Sequence, residues 1–400
     1  MTLKISLFVV LVFMIVIINS SCSREKQLST SQKINDFECL YSSLKENYPF
    51  FEVNKRQNNV DWLTKKNEYL DKIKKTENDS TYFLVLKSII SELNSGHTSL
   101  SPTLYYDNYL AAYKKLSIES PGYKKWVEFL EIDSLKPKYW SKIQKSQNSE
   151  TRGSADHTIP KPNYTDTIID DRIGVMMIES FSLFNIQRDE PKISEFLESA
   201  KGLEALIIDI QDNGGGATAY WKENIVGKII SDPVVNVTYP IIKDGAINWS
   251  FYEDFFNEAE VLSGDKNFPE IPAELISERY YIKTTVDTIY PNNPIGFQGK
   301  IYLLVNEKVF SSSEGFAQFC KTTNWATVAG VQTGGDGIGS DPSMIRLPES
   351  GILLCYPSLI GLNHDGSLNS EERTIPDIEL SGNTPEERLN ELIRLISLNP

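Results

Sequence analysis

The stretch Ile301-Tyr302-Leu303-Leu304-Val305-Asn306-Glu307-Lys308-Val309-Phe310-Ser311-Ser312-Ser313-Glu314-Gly315-Phe316-Ala317 decides the reading of this chain. An apolar run of strand length, Ile301 to Val305, breaks at a short polar turn, and a serine-rich segment then opens a helix read over Phe316 to Lys321. Ser311 falls at that helix's N-terminus, where unpaired backbone N–H groups can hold an anion. Serine is a common N-cap. The same place suits a nucleophile, because the oxyanion of an attacked carbonyl forms beside the N–H groups that stabilise it. This segment alone leaves both readings open.

Working outward, the strand–turn–helix pattern repeats. Gly174-Val175-Met176-Met177-Ile178 reads as a strand and Ile193 to Ala200 as a helix. Leu206 to Ile210 reads as a buried strand running into Asn213-Gly214-Gly215-Gly216, with a helix over Tyr220 to Ile230 after it. Thr327 to Ala329 and Ile352 to Tyr356 are further strands. The fold class is therefore α/β from Ile173 onward. The Pro- and Gly-bearing alternating stretches of residues 232–300 suggest hairpins inserted over the core. Three helical patterns precede this core: Ile34 to Leu44, Trp62 to Ile73, and Thr81 to Leu93 with a stop at Gly96. A few helices and then a loop near Asn148 to Asn163 follow. A last helix is signalled by Thr384, Pro385 and Glu387, with Leu389, Leu392, Ile393 and Ile396 on its apolar face.

The chain has 400 residues, a net charge of −14 and 40% hydrophobic content, enough for a substantial core. An acidic balance without a basic cluster argues against a nucleic-acid partner. Lys4 precedes an apolar run from Leu7 to Ile18, too short for a membrane span and followed by Asn19-Ser20-Ser21-Cys22. This resembles a bacterial lipoprotein cleavage site, in which Cys22 would become the lipidated first residue and tie the protein to a membrane. Asn19 departs from the aliphatic residue of that motif, which leaves plain secretion or an uncleaved anchor open. Ser23 to Gln32 reads as a tether. Cys39, Cys320 and Cys355 form neither a metal spacing nor a disulfide framework, and His97, His157 and His364 are too scattered for a metal site. No cofactor is expected.

Three consecutive glycines after a buried strand mark a tight turn or a close backbone approach, and their N–H groups can cradle an oxyanion. Together with the serine segment they resemble the tail-specific (C-terminal-processing) serine peptidases. Four segments carry the resemblance. Asp209-Ile210-Gln211-Asp212-Asn213-Gly214-Gly215-Gly216 is similar to D-x-R-x-N-G-G-G, with Gln211 in place of arginine. Ser311-Ser312-Ser313-Glu314 matches S-x-x-E. Gly330-Val331-Gln332-Thr333-Gly334-Gly335-Asp336-Gly337 matches G-x-x-T-x-G-K-G except at the lysine, and Ile375-Pro376-Asp377-Ile378 matches the closing P-D-I.

The resemblance implies a crotonase-like ββα core with an N-terminal helical subdomain and inserted hairpins. It divides the chain into a signal peptide (1–21), a tether (22–32), the helical subdomain (33–170) and the peptidase core (171–400), with an insertion at about 232–300. In lysine-type members the residue at position 336 is the general base, a part an aspartate cannot take with a similar pKa. Leu93-Asn94-Ser95-Gly96-His97-Thr98 resembles the histidine-bearing segment of the tricorn-like branch, which makes His97 the expected base. In that branch a glutamate near P-D-I completes the site, which points to Glu371 and Glu372. The apparent lack of a PDZ-like segment between His97 and Ile173 fits the same branch.

The expectation is a lipid-anchored peptidase of the cell envelope acting on peptides or proteins. Ser311 would be its nucleophile, and N–H groups of Gly215 or Gly216 and of Ser312 would form its oxyanion hole. The alternative is a ligand carrier on the same fold, as in the retinoid-binding proteins. An α/β-hydrolase esterase lacks its G-x-S-x-G elbow here. The sequence leaves the oligomeric state open.

Overall fold

Ala205 to Asp209 is buried at every position, which a strand achieves only when both faces of its sheet are covered. Leu206 and Ile208 pack into one apolar cluster with Leu303, Val305 and Phe316, while Ala205 and Ile207 pack into a second with Leu304 and Leu392. That alternation is the two-residue period of a strand between two layers. The coordinates, a computed structural model, describe residues 27–101, 104–132, 162–263, 268, 270–277, 279–336, 341–363 and 365–398. The leader, Cys22, His157, His364 and most of the 148–163 loop lie outside these residues.

The front of the chain is helical: α1 (Thr30–Asn47), α2 (Phe51–Asn58), α3 (Lys66–Lys74) and α4 (Asp79–Ser91). Ser29 caps α1 through a reciprocal box with Gln32, and Asn78 and Thr81 do the same for α4. Thus α1 begins inside the stretch read as a tether. Helix α4 stops at Ser91, ahead of Gly96, and Asn94 takes the positive φ of 50° at the exit. Strand β1 (Ser99–Ser101) and helices α5 (Leu104–Glu119) and α6 (Lys124–Glu131) follow.

The main sheet is built from β2 (Tyr164–Ile169), β3 (Ile173–Ile178), β4 (Ala205–Asp209), β10 (Lys300–Val305), β11 (Thr327–Gly330) and β15 (Ile378–Glu379), in the order β15-β11-β10-β4-β3-β2. All pairs are parallel except the β2–β3 hairpin. The sheet takes in Tyr164–Ile169, which the sequence reading grouped with the helical front. One face carries α7 (Ile186–Ala200), α8 (residues 218–229, with a π-turn over Lys222–Val226) and α10 (Ser312–Thr323); the other carries α12 (Pro385–Leu398). Helix α7 starts at Ile186, ahead of the Ile193 start read from the sequence, and runs through Pro191. At α12 the Thr384 hydroxyl accepts from the Glu387 N–H at 3.2 Å, and the Glu387 carboxylate accepts from the Asn383 N–H at 2.7 Å.

Residues 232–300 hold β5 (Val234–Thr238), β6 (Ile241–Lys243), β7 (Glu260–Val261), β8 (Tyr280–Ile282) and β9 (Thr285–Ile289), together with helix α9 (Ala246–Tyr252) that alternation did not reveal. Strands β12 (Ser343–Arg346) and β13 (Leu353–Tyr356) form a three-stranded antiparallel sheet with β1, in the order β1-β13-β12. Through it the helical front meets the core. Asp36 of α1 strengthens that junction by accepting the Glu349 and Ser350 N–H groups at 2.7 and 3.0 Å. The short helix α11 (Asn369–Glu372) precedes β15.

Candidate active site

The neighbouring parallel strands β4, β10 and β11 end at one edge of the main sheet, where open parallel sheets present their sites. Beyond that edge β4 runs into Asp212–Gly216, β10 into Ser311, and β11 into the loop that carries Asp336.

Ser311 sits in the turn between β10 and α10 with φ 56° and ψ −126°, a region a non-glycine residue occupies only when its surroundings impose it. Its hydroxyl makes no capping hydrogen bond to α10. The Oγ atom lies 3.0 Å from Nε2 of His97 instead. The start of α10 is fixed from two sides: the Ser313 hydroxyl donates to Asn213 Oδ1 at 2.7 Å, and the Trp221 indole N–H donates to Ser312 Oγ at 3.2 Å.

His97 enters from the helical front, two residues ahead of β1. Its ring stacks on Phe310 with centroids 4.6 Å apart. Gly96 permits that contact, since a Cβ there would stand 2.8 Å from the Phe310 ring. The other ring nitrogen, Nδ1, lies 3.0 Å from Oδ2 of Asp336. Gly335 (φ 83°) and Asp336 (φ 57°) turn that loop back alongside Phe310, and the Gly334 N–H donates to the Val309 carbonyl at 2.7 Å. When Asp336 is ionised its carboxylate can only accept, so the neutral imidazole then carries its proton on Nδ1 and offers Nε2 to the serine hydroxyl. Burial lowers the His97 pKa below its ordinary value, against the pull of Asp341. Burial and the nearby Glu314 push Asp336 up to about 7. His97 and Asp336 keep 23% and 17% of their side-chain surface exposed, so the pair can be reached from solvent.

The glycine turn lies against Ser311. A Cβ on Gly215 (φ 100°) would fall 2.9 Å from both Ser311 Cβ and the Ser312 nitrogen, and one on Gly216 (φ 140°) would meet the Phe181 carbonyl at 2.3 Å. The Gly215 N–H is already committed to Asn213 Oδ1 at 3.0 Å. The Ser312 and Gly216 N–H groups have no hydrogen-bond partner among the described residues, so both remain available as donors.

Glu371 and Glu372 do not join this constellation. Glu371 accepts two hydrogen bonds from Arg56 at 2.9 and 2.6 Å, and neither glutamate is bonded to His97 or Ser311. The carboxylate position beside the imidazole is filled by Asp336, which sequence reasoning treated only as a missing lysine. The available signal was topological: the loop after β11 must emerge next to the turn after β10.

Sequence reasoning also passed over two buried groups that hold the frame. Asn213 donates to the Ile178 carbonyl at 3.0 Å while accepting from Gly215 and Ser313. Glu314 is fully buried and accepts from Asn369 at 2.8 Å and Thr374 at 2.5 Å, tying α10 to α11 and to the segment after it. Gln211, where the motif has arginine, accepts from the buried Arg388 of α12 at 2.7 Å, so a guanidinium reaches this corner from another helix.

Known structures share this fold. A suspected peptidase from Parabacteroides merdae ATCC 43184 aligns at 19% identity over 92% of this chain and 96% of its own, with a TM-score of 0.56. Mature CPAF aligns at 14% identity over 92% and 96%, with a TM-score of 0.56, and its complex with lactacystin at 13% over 92% and 98%, with a TM-score of 0.57. Among curated proteins no sequence matches the chain. The sequence pattern of peptidase family S41 matches residues 172–380, more than half of the chain and including the glycine turn, Ser311 and Asp336, so the protein belongs to family S41, whose members are serine peptidases.

Proposed function

We propose that this protein hydrolyses peptide bonds with Ser311 as nucleophile, His97 as general base and Asp336 as the carboxylate that orients the imidazole. One observation carries the reading: an unbroken chain from Ser311 Oγ to His97 Nε2, and from His97 Nδ1 to Asp336 Oδ2, with 3.0 Å at each link. As Oγ attacks the peptide carbonyl, its proton passes to Nε2. Asp336 then faces an imidazolium and stabilises it without taking the proton. The Ser312 and Gly216 N–H groups receive the oxyanion; one such donor contributes on the order of a hundredfold or more in rate. The C–N bond breaks as Nε2 returns the proton to the leaving amine. Water, deprotonated by the same nitrogen, then releases the acyl group and restores the serine.

Burial suits the imidazole to this task. A lowered His97 pKa keeps the imidazole unprotonated, and therefore basic, at neutral pH. We further place the enzyme at a cell-envelope membrane through a lipid on Cys22, a reading that rests on the leader sequence alone. Loss of the protein from the membrane fraction on Cys22→Ser substitution would support it; unchanged partitioning would remove it.

A fluorophosphonate probe tests the central reading. It should label the wild type, label Ser311→Ala not at all, and label His97→Ala far more slowly. Equal labelling of wild type and Ser311→Ala would sink the assignment.

A further inference from the structure

A cavity with Asp341 in its lining opens at the end of the three-stranded sheet from which His97 also emerges. Its position follows from strand register. Ser99 of β1 and Ser343 of β12 flank β13 opposite Cys355 and Tyr356. His97 and Asp341 each lie two residues ahead of those strands, at the same end of the three-stranded sheet. They are near enough for Asp341 to raise the pKa of His97. The cavity, about 270 Å³, is walled by Tyr123, Trp126, Phe251, Tyr252 and Phe255, with Asp341 among its lining residues.

The walls are built rather than incidental. Trp126 packs against Phe251 and Tyr252 with centroids 5.1 and 5.2 Å apart. The Trp126 indole N–H donates to the Pro342 carbonyl at 2.9 Å, and the Tyr252 hydroxyl donates to the Asp341 carbonyl, so two of the rings grip the backbone that presents the carboxylate. The Tyr113 hydroxyl donates to Asp341 Oδ1 at 3.1 Å and orients it. At the rim, Lys125 lies 3.7 and 3.8 Å from Glu253 and Asp254, one cation between two carboxylates.

We propose that this aromatic cavity is a specificity subsite for a basic side chain, lysine or arginine, next to the scissile bond. The reading rests on the peptidase function proposed above. An aliphatic stem lies well against aromatic walls, and a cationic head gains from their π-faces and from the carboxylate together. A neutral side chain would displace water from the cavity without bringing a counter-charge to Asp341, which keeps its bond from the Tyr113 hydroxyl. An acidic side chain would meet like charge. The chain's net charge of −14 also favours the approach of cationic segments.

The test uses peptides with Lys, Leu or Glu at each position flanking the cleaved bond. Wild type should prefer Lys over Leu at one of them by about tenfold or more in kcat/KM, the scale of one buried charge pair. Asp341→Asn should bring that ratio to near one, and Phe255→Ala, a change at a half-exposed wall, should reduce it several-fold. A ratio within one enzyme is insensitive to general loss of activity.

Independently of turnover, p-aminobenzamidine should bind Ser311→Ala saturably, and at least tenfold more weakly once Asp341→Asn is added. Indifference to charge at both positions, or equal binding of the amidine with and without Asp341, overturns the subsite. Absent labelling by fluorophosphonate with intact amidine binding would instead remove the peptidase and leave the cation site standing.

Discussion

The carboxyl edge of the parallel sheet and the helical front contribute to one constellation in different ways. The glycine turn, Ser311 and Asp336 follow three adjacent strands whose ladder is continuous from Lys300 to Val305. Their mutual positions are set by backbone hydrogen bonds inside the core. His97 belongs to a layer with its own apolar cluster, centred on Phe37, Leu40, Trp62 and Leu86. It reaches the edge through the β1–β13 pairing, the Phe310 stack and the Asp336 hydrogen bond. Ser311 and the glycine turn are thus preorganised by the fold, whereas the position of His97 depends on how two layers dock. Preorganised dipoles cost no reorganisation during reaction; a docked base can be displaced without unfolding the core.

The sharpest break of this comparison removes a member of the chain. Ser311→Ala and His97→Ala should each lower kcat by roughly four to six orders of magnitude, and Asp336→Asn by roughly three to four, since an amide can hold the wrong tautomer. Combining them should cost little more than the worst single change, because the groups act as a unit. Glu371→Gln and Glu372→Gln should stay within about threefold of wild type, the ordinary range for groups outside the reacting set. Peptide turnover under single-turnover conditions checks the series. A loss in Glu371→Gln comparable to that in Asp336→Asn would return the orienting role to α11.

The two glycines that border the site separate edge from seam. Gly215→Ala must relax both a positive φ and contacts of 2.7 to 2.9 Å with Phe310, Ser311 and Ser312. It should destabilise the protein by about 2 kcal/mol or more and lower kcat at least a hundredfold. Gly96→Ala meets only the far end of the Phe310 ring. It should cost about 1 kcal/mol or less yet lower kcat roughly tenfold by tilting the imidazole, with kcat falling further than the oxyanion pocket's affinity for a peptide aldehyde. Urea denaturation alongside aldehyde inhibition distinguishes the cases. Parallel losses in both variants would mean that front and core form one rigid unit.

What the sequence disclosed follows from the same contrast. Strands β3, β4 and β10 are covered on both faces, so they appear as unbroken apolar runs, and glycine punctuates their ends. Ser311 and His97 stand 214 positions apart. No periodicity relates them, and only the family resemblance suggested the pair. Asp336 was legible as a departure from a motif but not as a partner, because its role depends on a loop turning back through Gly335. Glu371 looked eligible through its distance to P-D-I; in space Arg56 of α2 claims it. Helix α9 escaped notice because its apolar residues pack toward α6 and β12 within a region of short hairpins.

The smallest expected effect concerns two neighbouring carboxylates whose pKa values are both raised but whose exposure differs. Asp336 faces the imidazole and some solvent, whereas Glu314 is sealed inside, held by Asn369 and Thr374. Burial raises the pKa of Glu314 above its ordinary value. A carboxyl with a raised folded pKa contributes stability while protonated, fully so below its unfolded pKa, and that contribution is lost as pH rises through the folded pKa. Glutamine does not titrate. Glu314→Gln should therefore lie within about 1 kcal/mol of wild type at pH 5 and gain relative to it by pH 8. Removing this neighbour also removes one cause of the raised Asp336 pKa, so the acid limb of kcat/KM should move to lower pH. Because His97 and Asp336 titrate together, the limb reports the pair and not either residue alone. A stability difference that does not vary between pH 5 and pH 8 would mean Glu314 keeps the same charge on folding, and the limb should then stay where it is.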